Sequence, residues 1–537
     1  MNLELNKNYY GFTLKQEKQI NEIKSTARVF EHEKSGARLI KLENDDDNKV
    51  FSVSFRTPPE DNTGLPHILE HSVLCGSRKF PLKEPFVELI KGSLNTFLNA
   101  MTFPDKTMYP IASKNAKDFY NLMEVYLDAV FYPNIYKHNE ILMQEGWHYE
   151  LEDKAEEMIY KGVVYNEMKG AFSSPESVLM RKIQDTLFPD TPYGLESGGD
   201  PEYITDLTQK QFEDFHGKYY HPSNSYIFLY GDGNTLDELE FINDHYLKDF
   251  DRIEVDSELP IQKPIGQLKE FEIEYPVSLD EDVAEKVYMG MNFVIGTAKD
   301  PELYLAMEVL EHLLLATSAA PLKKALIEAE IGKDVFGQLD NGILQPTFSV
   351  IVKNTDLDKK EAFKKVFEDT LSKLVSEGID KKLVEASINI MEFQLREAEF
   401  RGYPKGLIYN IKCLDSWLYD QSPFIHLEYE GALEKIKSAL TTNYFEGLIE
   451  KYLLGSTHSS LLILKPKKGL SEEREGLLKG KLAEFKNSLS QEELENIIEK
   501  TKQLKERQNS PDSAEALECI PLLELSDINQ KTEKLPL

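Results

Sequence analysis

The sequence predicts an α+β protein built from two homologous domains in tandem. Three observations carry this reading. Short runs alternate apolar and polar residues and end at turn formers, as strands do. Other segments repeat apolar residues at helical spacing. The order of these features in the first half then returns in the second. At 537 residues the chain is too long for one hydrophobic core. The expected domains are 1–255 and 266–505, followed by a helical and extended linker over 506–537.

The elements follow in order. Residues 37–42 (ARLIKL) and 49–56 (KVFSVSFR) read as strands, with Phe51, Val53 and Phe55 alternating in the second. A Pro/Gly-marked loop, TPPEDNTGLP, follows, and Pro66 opens a helix at His67. Segment 114–130 has helical spacing and stops near Pro133; 139–149 opens like another helix. Residues 225–230 (SYIFLY) form a strand ended by Gly231-Asp232-Gly233. That turn lacks the spacing of a phosphate-binding loop. The polar stretch 251–268, with Pro260 and Pro264, marks the domain boundary.

Beyond it the pattern starts again. Strand-like 286–296 precedes Glu308-Val309-Leu310-Glu311-His312, an echo of His67-Ile68-Leu69-Glu70-His71. LLLATSAAPLKK echoes SVLCGSRKFPLKE, 406–411 (GLIYNI) echoes 162–167 (GVVYNE), and 460–464 (SLLIL) mirrors SYIFLY. Four echoes in one order indicate domain duplication with loss of the first motif's chemistry; two unrelated α+β domains are the alternative. From about 470 the chain reads as a helix followed by an extended linker.

Composition excludes several functions. Lys+Arg 62 against Asp+Glu 93 gives a net charge of −31, a surface that repels nucleic acid. The acid reads first as a well-solvated surface, and second as a cavity lining that would favour basic ligands. Cys75, Cys413 and Cys519 are scattered and odd in number, so no disulfide framework is expected. No run approaches the ~18 apolar residues of a membrane span. With no signal or transit segment seen, the expected location is cytoplasmic, without a membrane partner.

HILEH carries the chemistry. On a helix His67 and His71 lie one turn apart on one face, where two imidazoles grip one metal ion. Glu70 shares that side, placed to activate water there. The order H-x-x-E-H inverts the H-E-x-x-H zinc motif. The expected cofactor is one Zn2+, which needs a third protein ligand and an open position. The candidate is Glu167, 96 residues after His71. Its aligned position in the second copy is Ile411, as loss of ligation there would leave it.

NTGLPHILEHSVLCGSRKFP, SLNTFLNAMTFPDKTMYP and GVVYNEMKGAFSSP resemble the pitrilysin/insulinase family of zinc peptidases, and within it the presequence-protease subgroup. The resemblance runs from about residue 10 to the end. It implies mostly antiparallel sheets covered by helices, with His67, His71 and Glu167 as zinc ligands and Glu70 as catalytic base. It implies that Asn99 and Ala100, in LNAMTF, belong to an edge strand that pairs with substrate. It also implies a second half, absent here, that closes a chamber over short unfolded peptides and supplies an Arg and a Tyr to the substrate. The expected function is the zinc-bearing half of a metalloendopeptidase, whose partners are peptide substrates and a C-terminal half. The alternative is a non-catalytic peptide-binding or scaffolding subunit.

Overall fold

The computed structural model describes residues 3–266 and 268–528. The first sheet is built from β1 (Asn8–Tyr9), β2 (Phe12–Ile20), β3 (Ser25–His32), β4 (Arg38–Glu43), β5 (Lys49–Arg56), β6 (Asn95–Leu98), β7 (Met101–Thr102) and β8 (Lys106–Ser113). β9 (His148–Glu150) and β10 (Ile159–Lys161) form a separate ribbon, and β11 (Ser225–Gly231) returns to the first sheet. Its order is β1-β2-β3-β4-β11-β5-β8-β6, with β7 also on β8. β4 and β11 run parallel, and β5 is antiparallel to both β11 and β8.

The second sheet comprises β12 (Lys269–Val277), β13 (Val287–Val294), β14 (Asp334–Asp340), β15 (Thr347–Thr355) and β16 (Ser459–Lys468), in the order β12-β16-β13-β15-β14. β12 and β16 are its parallel pair. The two sheets share one topology. In β4, β5, β6/β7, β8 and β11, the last strand inserts between the first two and the third lies outermost. β12 to β16 repeat that path. Among the described residues, none between Asp249 and Lys269 is in a helix or strand.

Each domain lends the other a helix. Pro175–Leu187 packs on β13 and β16 of the second sheet, and Lys405–Trp417 packs on β5 and β11 of the first. Their apolar residues join both sheets in one shared core, including Leu179, Ile183, Leu407, Leu414, Phe228 and Leu462. This explains a feature the alternation in β5 does not predict: Ser52 and Ser54 are as buried as Phe51, Val53 and Phe55. The face of β5 expected to meet water meets the other domain.

Two expectations are corrected. The helical stretch Pro301–Glu328 is long and apolar enough to cross a membrane. Here it is broken by a turn at 317–320, and its Leu305, Leu310, Leu314 and Leu322 are core residues. The segment after 470 is two helices, Leu470–Ser488 and Gln491–Asn509, with a Ser490/Glu493 capping box restarting the second. Part of the expected linker then lies along the first domain: Ala516 and Ile520 join its core, and Pro521 O accepts from Asn121. Residues 529–537 of that linker lie outside the described residues.

Candidate metal centre

The motif helix spans Leu65–Val73, with Pro66 in its first turn. Leu65, Ile68, Leu69, Ser72 and Val73 are buried and fix its rotation, leaving His67, Glu70 and His71 on the opposite face. Gly64 caps the helix at φ 72°, and a Cβ there would stand 2.4 Å from Gly199 Cα. Only a bare backbone permits that approach. It brings the 196–200 loop down so that Gly198 O accepts a hydrogen bond from His67 Nδ1 at 3.0 Å.

His71 is held in the same way from the other side. Its Nδ1 lies 3.3 Å from Glu145 Oε2, and Glu145 is 6% exposed. A carbonyl and a carboxylate accept, so Nδ1 carries the proton on both rings and each Nε2 presents a lone pair. Both Nε2 atoms lie 3.8 Å from the same oxygen, Glu167 Oε2. Glu167 sits on the helix Val163–Ala171, whose start abuts the Glu145 turn. A Cβ on Gly162 would lie 2.1 Å from Gly146 O. The three ligand atoms fall within 4.8 Å of one another, the one such His/Cys/Asp/Glu group among the described residues. Ligands at ~2.0–2.2 Å in a tetrahedron stand about 3.4 Å apart, so each imidazole closes on Glu167 by about 0.4 Å to seat Zn2+. The donor set fits the ion.

The electrostatics agree. Burial pushes the His71 imidazolium down, but the hydrogen bond with Glu145 and the charges of Glu70, Glu145 and Glu167 outweigh it and leave His71 above its ordinary value. Burial likewise pushes the Glu145 carboxyl up, and hydrogen bonds from His71 and Gln144 outweigh it and keep Glu145 below the usual carboxylate range. Cys75 is not among the grouped ligands. Its thiol lies 3.4 Å from Glu145 Oε1, and burial followed by Glu145's charge pushes its pKa well up. It stays a thiol and steadies Glu145.

Glu70 has no hydrogen-bond or ion-pair partner among the described residues, and it lines a cavity of about 800 Å³ with His67 and Glu167. Ala100, Met101, Thr102 and, from the second domain, Ile273 to Pro276 and Gln338 close other walls. The charged lining is Glu70, Glu167, Asp185, Glu196, Asp200, Glu202 and Glu274 against Arg181, Lys182 and Arg474. Arg181 is paired with Glu196, and Lys182 with Asp185 at 2.9 Å. Acid therefore predominates in the cavity as well as over the chain.

Asn99 and Ala100 are at the sheet edge but not in a strand: they fill the gap between β6 and β7. The register places Asn99 opposite Pro110. Asn99 N donates to Pro110 O at 3.3 Å, but proline has no N–H to return. The freed Asn99 carbonyl instead accepts from Tyr126 at 3.3 Å. Ala100, next along, turns its N–H and C=O away from β8 towards the open edge.

Three family descriptions match. They are insulinase (peptidase family M16) over residues 55–196, peptidase M16 inactive domain over 206–391, and the associated domain of subfamily C of the same peptidase family over 464–536. Presequence protease 1, chloroplastic/mitochondrial, of Arabidopsis thaliana is 42% identical across 98% of this chain and 49% of its own. The chain belongs to the insulinase family. Protein HypA of Clostridium perfringens is 60% identical across 100% of this chain and 55% of its own. The insulinase-family chain therefore spans about half the length of these curated relatives. A protease structure from Helicobacter pylori shares the fold at TM-score 0.62 and 16% identity, over 80% of this chain and 97% of that one.

Sequence reasoning finds His67, Glu70, His71 and Glu167, which the structure brings together. It misses Glu145, 74 residues beyond His71, because one carboxylate among 93 acidic residues carries no local signal.

Proposed function

We propose that this chain is the metal-bearing half of a zinc metalloendopeptidase that hydrolyses short unstructured peptides. The observation that carries this is the convergence of two imidazole Nε2 atoms on one Glu167 oxygen, each 3.8 Å away. His67, His71 and Glu167 hold the ion, and Gly198 O and Glu145 fix the ring orientations behind them. Bound Zn2+ supplies Lewis-acid chemistry: it acidifies water and polarises a carbonyl. Glu70 accepts the proton of the attacking water on its free carboxylate and returns it to the leaving nitrogen. A subunit that only binds peptides has no use for such a carboxylate.

Ala100 pairs the substrate backbone through its outward N–H and C=O, extending the sheet by one strand. The acidic lining draws basic peptides into the cavity. A C-terminal half completes the chamber and the substrate contacts, so the chain without it is slow or inactive. The test is twofold. Zinc bound by the purified chain is measured by competition with a chromophoric chelator, for the parent and Glu167→Ala. Fluorogenic peptide cleavage is then followed with and without the added half. Stoichiometric zinc that Glu167→Ala loses, with cleavage on completion, supports the reading. Unchanged zinc retention in Glu167→Ala sinks the ligand set.

A further inference from the structure

A second cavity, of about 210 Å³, lies beside the echo motif of the second domain. Glu308 lines it, standing in EVLEH where HILEH has His67. Lys412 also lines it, next to Ile411, which aligns with Glu167. Glu308 accepts one hydrogen bond, from Asn341 at 3.3 Å. Lys412 has no hydrogen-bond or ion-pair partner among the described residues, and the two opposite charges make no contact within 4.0 Å. Both are partly buried, so the separation is costly: two charges share a low-dielectric wall and neither neutralises the other at contact distance.

His426 adds a third polar group to the same wall. It is 6% exposed and stacks on Tyr304, with ring centroids 4.1 Å apart. Its Nε2 meets Ala298 O at 2.8 Å, so Nε2 carries the proton. Nδ1 is then a bare acceptor without a partner among the described residues, and it is buried behind the cavity wall. Burial drives the imidazolium down to about 4, so the ring is neutral at pH 7. Met391, Leu395, Phe400 and Leu427 supply an apolar side to the cavity. No metal group forms here: among the described residues, the ligand atoms of three His, Cys, Asp or Glu converge only at His67, His71 and Glu167.

Two acids, Glu308 and Glu399, a separated cation and an apolar wall around a small cavity match a single chemical class. We propose that this cavity binds a free α-amino acid with a large apolar side chain, its ammonium held by Glu308 and its carboxylate by Lys412. The zwitterion supplies Glu308 and Lys412 with the counter-ions they lack at contact distance. A longer peptide separates its terminal charges and does not fit. The site is distinct from the metal centre, and the proposal does not depend on the peptidase reading.

The test is isothermal titration of the full chain at pH 7 with L-leucine and L-phenylalanine, beside leucinamide and N-acetyl-leucine. The free amino acids bind, and each blocked form binds about tenfold or more weakly, as loss of one charge-assisted contact requires. Glu308→Gln and Lys412→Met weaken L-leucine by a similar factor, whereas Glu70→Gln leaves it unchanged. Absence of binding at millimolar L-leucine and L-phenylalanine overturns the proposal. So does equal binding of the blocked forms, or dependence on Glu70 in place of Glu308. Because the blocked ligands are tested on the unaltered chain, a variant that fails to fold leaves the question decided.

Discussion

The two domains trace the same five-strand path, yet one gathers a metal-ligand set and the other does not. Ile68 and Leu69 of HILEH are fully buried, and so are Val309 and Leu310 of EVLEH. The positions that differ chemically, 67 against 308 and 167 against 411, lie at partly or fully exposed sites. His312 survives in the second copy, but its Nδ1 is engaged by Ser387 Oγ at 3.0 Å, where His71 has Glu145. Core packing holds the motif helix in place, and the chemistry sits on the face that packing does not use. A domain can lack the ligand set there without losing its fold.

The sharpest way to break this comparison is to remove the paired carboxylates. Glu70→Gln in the completed enzyme lowers kcat by about 10²–10⁴-fold with zinc content unchanged. Glu311→Gln, its counterpart, leaves kcat as it was. Steady-state cleavage and metal analysis of both variants check this, and equal losses would erase the asymmetry.

A second contrast lies between buried acids. Glu145 is held below the carboxylate range, whereas burial, opposed in part by Lys106, pushes Asp415 of the second domain up to about 7. In the unfolded chain Asp415 releases its proton near ~3.9. Between those values the folded state binds the extra proton. The stability it contributes is complete below pH ~4 and is lost as pH rises through 7. Asp415→Asn removes this slope, worth about 1.4 kcal/mol per pH unit over the window. Urea melts of the variant and parent therefore diverge in the variant's favour from pH 4 to 8. Parallel curves would mean that Asp415 ionises normally.

Smaller effects refine the first site. Glu145→Gln weakens zinc by about 10–100-fold, as loss of the carboxylate behind a ligating imidazole does. Chelator competition measures it, and Ser387→Ala gives the control with no change. Ala100→Pro removes one outward N–H and lowers kcat/KM by about 3–10-fold, the worth of one hydrogen bond. No change in peptide kinetics would place the substrate on another edge.

Much of this is legible in the sequence because local rules decide it. Strand β5 matches its predicted bounds, since alternating Phe51, Val53 and Phe55 end at Thr57-Pro58-Pro59. His67 and His71 need only helical periodicity and Pro66. Other features depend on partners remote in the chain. Glu145 reaches His71 through the packing of three helices, and nothing near residue 145 announces it. The break at Asn99 is caused by Pro110 on a neighbouring strand. The pattern after 470 reads as one helix, because the break before the second is only two residues, Leu489 and its cap Ser490.

The exchanged helices, Pro175–Leu187 and Lys405–Trp417, bear on how such a molecule can be divided. Severing the backbone near residue 260 would produce two fragments, each bearing an oily surface shaped for its sibling. Because the loan is reciprocal, two copies of one ancestral domain could already have satisfied it as a symmetric pair.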